Sequence, residues 1–258
     1  MTTDPPNWAV DSGEDRCGLW ADLALNDVVQ RFRWIEPGEF LMGSPDDEVG
    51  RKKDEGPQHR VRISRGFWLA DTACTQALWL AVMGGENPSN HVRDLRNPVE
   101  FVSWDEVRVF LQRLQSVLSP DWIAVLPTEA QWEYACRAGT VTPFSFGDNV
   151  TSQEVNFNSD FPYRKAAKAP WRGCTVPVKS LPPNPWGLYE MHGNVWEWCE
   201  DFRRFYPDGP VTDPTTPVDW RENCPENYDH PDVLALFMQT RVLRGGSYFN
   251  DGRVRQPD

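Results

Sequence analysis

Proline and glycine are so frequent in this chain that long helices and long strands are excluded over much of its length. The sequence holds 23 Pro and 18 Gly, together with 13 Trp. Proline and glycine favour turns, whereas large aromatic rings anchor loops by burying their apolar surface. We therefore predict an α+β single domain with few short helices, short strands and little other regular secondary structure.

The size and charge of the chain limit the partners that it can have. Its 258 residues suit one large domain, and a hydrophobic fraction of 40% is enough for a packed core. The formal net charge of −12 argues against nucleic acid as a partner, because phosphate binding requires clustered Lys and Arg. Acidity suits cations or basic peptides, although solubility alone explains it equally well.

The sequence shows neither a membrane span nor an export signal. No apolar run approaches the roughly 18 residues of a spanning helix, so we expect no membrane partner. The stretch from Met1 to Val10 is polar and contains two prolines. It lacks the basic and apolar parts of a secretory signal, and we therefore predict a cytoplasmic location.

Three short segments have the sequence features of helices. Thr75 to Gly84 is amphipathic and ends at a glycine. Ser103-x-x-Glu106 and Thr128-x-x-Gln131 have the spacing of a capping box, in which two residues satisfy each other's backbone N–H groups. The second box predicts a helix from about Glu129 to Arg137 that stops at Gly139.

Alternation of apolar and polar residues indicates strands elsewhere. Arg31 to Ser44 alternates around a Pro-Gly pair and predicts a β-hairpin, whereas Arg60 to Asp71 predicts a single strand. Arg241 to Asn250 predicts a late strand followed by a Gly-Gly bend. Residues 1–30 are weakly patterned, so we expect an N-terminal extension that packs on a main domain of residues 31–258.

The cysteines and histidines do not form a recognisable catalytic or metal pattern. The six cysteines are scattered without a C-x-x-C pair, which favours reduced and mostly buried thiols. Cys136 precedes Arg137, and a nearby cation favours a thiolate. On an amphipathic helix, however, we interpret Cys136 as a core side chain. The four histidines lack the spacing of a zinc or iron site.

The stretch EMHGNVWE is a candidate site for a hard cation. Calcium prefers carboxylate and carbonyl oxygens on irregular loops. Glu190, Asn194 and Glu197 offer oxygen atoms around a glycine that permits a tight bend. A merely solvated acidic loop is the alternative interpretation.

Five motifs occur in an order that resembles a known family. PGEFLMGS, NPVEFVSWDE, LPTEAQWEYACRAGT, NPWGLYEMHGNVWEWCED and RVLRGGSYFN together resemble the formylglycine-generating enzymes, or sulfatase-modifying factors. The resemblance extends from about Phe32 to Asn250. It implies a single compact domain with a C-type-lectin-like fold. It also implies a further C-terminal strand and a closing G-F-R that this chain lacks, so we expect the last part of the domain to be missing.

The activity that the resemblance implies is the copper- and oxygen-dependent oxidation of a sulfatase cysteine to formylglycine. In the family two cysteines carry that chemistry, and soft copper(I) requires such thiolates. Asn250 and Arg255 occupy the two positions in this sequence. We therefore expect no copper and predict a non-catalytic binding module.

The ligand expected for such a module is a peptide or protein, or else a small molecule, held near the bend from Gly245 to Arg255. Some variable proteins of diversity-generating retroelements use the same fold for display. A formylglycine-generating oxidoreductase is the alternative function. The third hypothesis is that the chain is a shortened remnant that does not fold cooperatively.

The resemblance also implies structural calcium. Carried over by position, Glu190 and Glu197 would provide side-chain oxygens, and Gly193 and Val195 would provide carbonyl oxygens. A second calcium site would begin at Asn156 and Phe157.

Overall fold

Three short helices and nine short strands account for the α-helices and strands in the part of the chain that the computed structural model describes, residues 5–215 and 240–252. The strands are β1 (Asp11–Asp15), β2 (Gly18–Leu25), β3 (Val28–Ile35), β4 (Gly38–Met42), β5 (His59–Ile63), β6 (Phe67–Ala70), β7 (Glu197–Phe202), β8 (Val211–Thr212) and β9 (Arg241–Arg244). The helices are α1 (Gln76–Met83), α2 (Trp104–Gln115) and α3 (Glu129–Arg137). The predicted α+β domain with few short elements is confirmed.

The strands form three small sheets. The first is antiparallel with the order β1-β2-β3-β6. The second has the order β4-β5-β8, in which β8 runs parallel to β5. The third pairs β7 with β9 in antiparallel orientation and contains a bulge between Trp198 and Phe202. The predicted late strand is thus confirmed as β9, and Gly245 and Gly246 bend the chain after it with φ of 91° and 79°.

The predicted hairpin from Arg31 to Ser44 is wrong. Both of its strands exist, but β3 pairs with β2 and β6 whereas β4 pairs with β5. The link between them passes beside α3, where the Tyr134 hydroxyl donates a hydrogen bond to the carbonyl of Glu36 at 3.2 Å. A Cβ atom on Gly38 would lie 2.3 Å from that hydroxyl oxygen. The tyrosine hydroxyl therefore lies directly against the link between β3 and β4.

The predicted single strand from Arg60 to Asp71 is divided into two. β5 belongs to the second sheet and β6 to the first, so the chain changes sheets at residues 64–66. Ser64 is held there by Asp213, which accepts hydrogen bonds from its N–H and its hydroxyl. Gly66 lies against the Trp34 ring, since a Cβ atom would approach that ring to 2.3 Å.

The helices begin where the sequence predicts. Thr75, Ser103 and Thr128 are the N-caps, and each side chain accepts a hydrogen bond from the N–H three residues later. Both predicted capping boxes are complete. α3 spans Glu129–Arg137 as predicted, and its left-handed C-cap is Ala138, with φ of 46°, followed by Gly139 with φ of 83°.

Three hydrophobic clusters form the core. The largest surrounds α3 and takes in residues of the second and third sheets, and a second packs α1 and α2 against the first sheet. A third lies beneath the loops of residues 144–163. α3 is buried along almost its whole length and lies at the centre of the largest cluster.

The N-terminal residues contribute strands to the first sheet. β2 lies between β1 and β3, and Arg31 of β3 forms an ion pair with Asp22 of β2 at 2.7 Å. The predicted boundary between residues 30 and 31 falls inside β3, whose strand partners lie on both sides of it.

None of the helices in residues 5–215 and 240–252 is long and apolar enough to cross a membrane. The cytoplasmic location stays a prediction.

Candidate functional site

Loops from three parts of the chain meet around Asn194. Its side-chain oxygen accepts hydrogen bonds from the Asn156 amide and from the N–H of Val176, both at 3.0 Å. The N–H of Gly193 donates to the carbonyl of Gly245 at 2.7 Å. Gly193 has φ of 77°, and a Cβ atom there would lie 2.3 Å from the Asn156 carbonyl oxygen. Only glycine allows the loops to approach so closely.

Glu190 and Glu197 lie at the two ends of this central loop. The Glu190 carboxylate accepts backbone N–H bonds from Lys179 and Leu181 at 3.1 and 3.3 Å. Glu197 accepts a bond from the Trp132 indole N–H at 2.9 Å. Burial raises the pKa of both carboxyl groups to about 7, and the charge of Glu190 adds to the rise in the pKa of Glu197. A negative charge on Glu190 therefore disfavours a negative charge on Glu197.

The donor set around these two acids fits a hard cation. Neither carboxylate has a Lys or Arg ion-pair partner within the described residues. The carbonyls of Gly193 and Val195 accept no hydrogen bond there either. Two carboxylates and two carbonyls are the oxygen ligands that calcium takes. No group of three or more His, Cys, Asp or Glu side chains in the described part of the chain is arranged so that it could hold a metal ion. A site here therefore depends on the carbonyls.

Asn156, the start of the second expected calcium site, is completely buried. Its amide nitrogen donates to the carbonyl of Cys174 and to Asn194, whereas its side-chain oxygen has no hydrogen-bond partner among the described residues. A buried oxygen without a partner costs free energy, and a cation would satisfy it. The adjacent Phe157 is buried in the third hydrophobic cluster.

Asn250, at the first expected copper position, closes its own loop. Its side-chain oxygen accepts bonds from the N–H and hydroxyl of Ser247 at 3.0 and 2.6 Å. Its carbonyl accepts from the N–H of Asn158 at 2.8 Å. Arg255, at the second position, lies outside the described residues.

Two adjoining clefts open beside these loops. One has a volume of about 340 Å³, part of it open to solvent, and is lined by Asn250 and Ser247 among others. The other has a volume of about 530 Å³, part of it open to solvent, and is lined by Cys136 of α3. The clefts share Phe144, His192 and Gly245 as wall residues.

Cys136 lies in the second cleft beside a histidine. Its sulfur is 3.6 Å from His192 Nε2 and 3.7 Å from the Met191 carbonyl oxygen. The thiol is buried with 5% exposure, as expected of a core side chain on α3. None of the five described cysteines forms a disulfide with another of them, and Cys224 lies outside the described residues.

Comparisons with known proteins show which family the chain belongs to. The model of the sulfatase-modifying factor enzyme 1-like domain family matches residues 24–257. The chain belongs to this family. Formylglycine-generating enzyme from Streptomyces coelicolor is 32% identical, and the match covers 82% of this chain and 76% of that protein. The corresponding mouse enzyme is also 32% identical, with 74% of this chain and 64% of that protein covered.

A solved structure agrees with the fold of this sulfatase-modifying factor domain. Treponema denticola variable protein 1 superposes with a TM-score of 0.70 at 24% identity, over 92% of this chain and 90% of that one. At this identity the likeness concerns the fold alone. Together with the family match, it bears out the expected C-type-lectin-like domain.

The surface of the domain beside the Asn250 loop is aromatic and basic. The loop of residues 156–172 is tied to residues 247–252 by a bond from the Trp171 indole N–H to the Tyr248 carbonyl at 2.7 Å, and by one from the N–H of Gly252 to the Phe161 carbonyl at 2.9 Å. Phe249 is 66% exposed and Phe161 is 55% exposed. The residues that we call the aromatic–basic surface are all exposed: Phe161, Arg164, Lys165, Lys168, Arg172 and Phe249.

The structure thus brings some expected site residues together and adds others. Glu190 and Gly193 lie in one loop, and Glu197 begins β7 directly after it. The aromatic–basic surface was missed, although four basic residues and no acidic one between Phe161 and Arg172 are a visible signal in so acidic a chain. The contact between Cys136 and His192 was also missed, because a separation of 56 positions leaves no local pattern.

Proposed function

We propose that this domain is a non-catalytic binding module that holds an acidic, aromatic-bearing peptide segment of a partner protein. The observation that carries the proposal is the aromatic–basic surface, which lies beside the loop that carries catalysis in the resemblance described above and includes Phe249 of that loop. Family membership supports the fold of the domain. The residues of this chain support binding in place of cysteine oxidation.

The absence of copper oxidation is argued from the donor set. Copper(I) requires soft ligands such as thiolates, whereas Asn250 offers an amide that already closes its own turn with Ser247. Of the two clefts, the one beside Asn250 has no cysteine in its described wall. The residues present therefore do not fit copper, and no oxidation step is proposed through it.

The chemistry of the ligand follows from charge and ring exposure. Arg164, Lys165, Lys168 and Arg172 place four positive charges on a chain whose net charge is −12. These charges attract the carboxylates of an acidic partner. Phe249 packs edge-on against Trp171 with ring centroids 5.6 Å apart and still exposes most of its surface. Exposed aromatic rings held rigid in this way are typical anchors of peptide interfaces.

A protein segment suits this surface better than a nucleic acid. Nucleic-acid binding proteins carry basic residues along an extended groove, because each phosphate contact contributes affinity. Four basic side chains in one loop of an acidic chain form only a local patch. The remaining surface would repel a long phosphate backbone.

Structural calcium is part of the proposal. Glu190 and Glu197, with the carbonyls of Gly193 and Val195, would hold one ion, and Asn156 with the carbonyl of Phe157 would begin a second site. The first ion would neutralise two buried carboxylates. It would also hold in place the loop that contains Asn194 and that bonds to the Gly245 carbonyl through Gly193.

Selection from a library of random displayed peptides tests the binding function. The wild-type protein is expected to enrich peptides that combine Asp or Glu with Phe, Trp or Leu. Affinity for a selected peptide should fall by about tenfold or more in the double variant Lys165→Glu/Lys168→Glu, and should also fall as ionic strength rises. Phe249→Ala should weaken binding without changing the salt dependence.

Arg65→Glu is the matched control, because Arg65 is an exposed basic residue in the turn between β5 and β6. It should leave the affinity unchanged. Enrichment of basic peptides, no enrichment at all, or tighter binding of a single-stranded oligonucleotide than of any selected peptide would contradict the proposal.

The oxidoreductase alternative has support of its own, since two relatives named formylglycine-generating enzyme are 32% identical. Purified protein is incubated with copper, oxygen and a peptide that contains Cys-x-Pro-x-Arg. Our proposal expects no aldehyde by mass spectrometry. Catalytic formation of the aldehyde would overturn the non-catalytic assignment.

A further inference from the structure

We infer that Phe101 is a second anchor for the bound peptide, and that it contacts an apolar side chain of the peptide beyond the aromatic–basic surface. The inference rests on the proposed function, because it concerns how the same peptide is recognised. It adds a residue that determines specificity, and it gives the peptide a direction along the domain.

Phe101 is held in a backbone conformation that phenylalanine rarely adopts. Its φ of 65° lies in the left-handed region, where a bulky residue is an outlier. The residues on both sides are fixed. The N–H of Glu100 donates to the Ser89 hydroxyl at 3.2 Å, and the Val102 carbonyl accepts from the Trp198 indole N–H at 3.1 Å. Strain of this kind persists only where the surroundings impose it, and it clusters at functional sites.

The packing of the core does not explain why a phenylalanine occupies this position. Phe101 is 79% exposed, which is more than either Phe161 or Phe249. Asparagine, aspartate or glycine adopts a left-handed φ with less strain. The chain therefore keeps a large apolar ring in solvent and in a strained conformation, and a ring in that state is available to a ligand.

A row of aromatic rings leads from the aromatic–basic surface towards Phe101. The ring centroids of Trp171 and Phe249 are 5.6 Å apart, those of Phe249 and Tyr248 6.4 Å, and those of Tyr248 and His91 5.1 Å. The Tyr248 hydroxyl also lies 2.9 Å from His91 Nε2. We call these four side chains the aromatic row. Edge contacts of this kind are favourable and hold the rings in fixed orientations.

Glu100 connects the His91 end of the aromatic row to Phe101. Its carboxylate accepts hydrogen bonds from the N–H groups of Asn90 and His91 at 2.5 and 2.8 Å. Phe101 is the next residue in the chain, so its backbone lies beside the His91 loop. A peptide that binds the aromatic–basic surface and follows the aromatic row therefore arrives at Phe101.

The two ends of this path differ in charge. The sequence from Phe161 to Arg172 contains four basic residues and no acidic one. The sequence between positions 97 and 107 contains Glu100, Asp105 and Glu106 and no basic residue. Carboxylates of a ligand are attracted to the first end and repelled from the second. The peptide therefore places its acidic residues at the basic end and an apolar residue against Phe101.

The first test separates a contact with the peptide from a structural role. The probe is a fluorescein-labelled copy of the peptide that the wild-type protein enriches most strongly in the library selection. Phe101→Asn removes the ring and relieves the left-handed strain, so affinity should fall by about fivefold or more. Its Tm should be no lower than that of the wild type, and loss of the strain should raise it by roughly 2–4 °C.

A double-mutant cycle identifies the peptide residue that contacts Phe101. Replacement of that apolar residue with Ala should weaken binding to the wild type and have little further effect on Phe101→Asn. Replacement of the acidic residues of the peptide with Gln or Asn should weaken binding to both proteins by the same factor. The dependence of affinity on ionic strength should be the same in both proteins, because Phe101 carries no charge.

Cross-linking tests the direction of the peptide. A peptide that carries p-benzoylphenylalanine at the coupled apolar position should cross-link within residues 89–106, as mapped by peptide mass spectrometry. With the same group beside its acidic residues, it should cross-link within residues 156–172. The reverse pattern, or cross-links of both peptides to residues 156–172 alone, would contradict the inference.

Ile123→Asn is the matched control, because Ile123 is 78% exposed and lies after the C-terminal end of α2. It should leave the affinity unchanged. If Phe101→Asn binds the peptide as tightly as the wild type, or loses affinity together with Tm, the inference is wrong while the peptide-binding proposal stands. If the wild type selects no peptide, the peptide-binding proposal is wrong and the role of Phe101 is wrong with it.

Discussion

At the scale of single residues, Glu197 links the central loop to α3 and also carries the strongest expectation of a metal. Its carboxylate accepts a hydrogen bond from the Trp132 indole, and burial together with the negative charge of Glu190 raises its pKa. In calcium at a hundred times its dissociation constant, the wild-type Tm should exceed that in chelator by roughly 5–10 °C. Glu197→Gln keeps the contact to Trp132 but loses the charge, so calcium should raise its Tm by less than it raises the Tm of the wild type.

Glu200→Gln is the control for this experiment, because Glu200 is on the same strand but pairs with Arg108. That variant should keep the full effect of calcium. An equal effect of calcium on Glu197→Gln and on the wild type would remove the proposed site.

The same two acids give a pH dependence whose sign can be stated. Their folded-state pKa values of about 7 lie above the ordinary value of 4.5. The folded chain therefore holds these protons more tightly, and without calcium their contribution to stability is lost as pH rises from about 4.5 to 7. Calcium replaces the protons, so the rise in Tm that it causes should increase over this interval in differential scanning calorimetry.

Single residues also show where sequence reasoning stops. The proximity of Glu190 and Glu197 could be predicted, because both belong to one short motif. The contact of Cys136 with His192 could not, since it depends on how α3 packs against a distant loop. The chemistry of a residue type is local, whereas its partners are set by tertiary packing.

At the scale of elements, α3 is a buried helix that carries charge on its buried side. Glu133 pairs with Arg137 one turn later at 2.8 Å and with Arg244 of β9. Burial alone would raise the pKa of Glu133, but the two guanidinium groups lower it to about 2. Because the folded pKa is below the ordinary value of 4.5, this stabilisation is complete above about pH 4.5 and is lost as pH falls towards 2.

Replacing Glu133 with Gln should therefore be costly and should alter the acid response. Removal of one partner from a buried ion pair typically costs about 3–5 kcal/mol of unfolding free energy. Urea titrations at neutral pH should show that loss, and the stability of the variant should fall less steeply than that of the wild type below pH 4.5. Glu39→Gln, which breaks the exposed pair with Arg60, should cost no more than about 1 kcal/mol.

The elements divide into those that local sequence decides and those that it does not. The helices were predictable because their caps are local: Thr75, Ser103 and Thr128 bond to N–H groups three residues away. The pairing of β3 and β4 was not, because alternation reveals strands but not partners. The link between the two strands is bound by Tyr134, almost a hundred positions further along, whose hydroxyl donates a hydrogen bond to the carbonyl of Glu36.

At the scale of the whole molecule, the first sheet is continuous across the predicted boundary at residue 31. Deletion of residues 1–26 would remove β1 and β2 and expose the buried Leu23 partners on α1 and α2. We expect this variant to lose its cooperative thermal transition in circular dichroism. Deletion of residues 1–16 removes β1 but leaves β2, so it should retain a transition at lower Tm. A full cooperative melt after the longer deletion would show that residues 1–26 are a dispensable extension.

The class of the whole fold could be predicted, but its division into sheets could not. Frequent proline, glycine and tryptophan limit the length of elements, and this limit is a property of composition. The path of the chain between sheets is set by single side chains such as Asp213, which holds Ser64 from 149 positions away.

The ion pairs of α3 also constrain how the chain can mature during its synthesis. Glu129 and Glu133 emerge from the ribosome long before Arg244, the buried cation that both of them contact. Until that arginine arrives, Glu133 has only Arg137 as a buried partner and Glu129 lacks its ion pair, so closing the core over the two acids would bury charge with incomplete compensation. The nascent chain can assemble the β1-β2-β3-β6 sheet early, because all of its strands lie within residues 11–70. Closure around α3 has to wait, and the hydrophobic residues of that cluster remain accessible to chaperones in the interval.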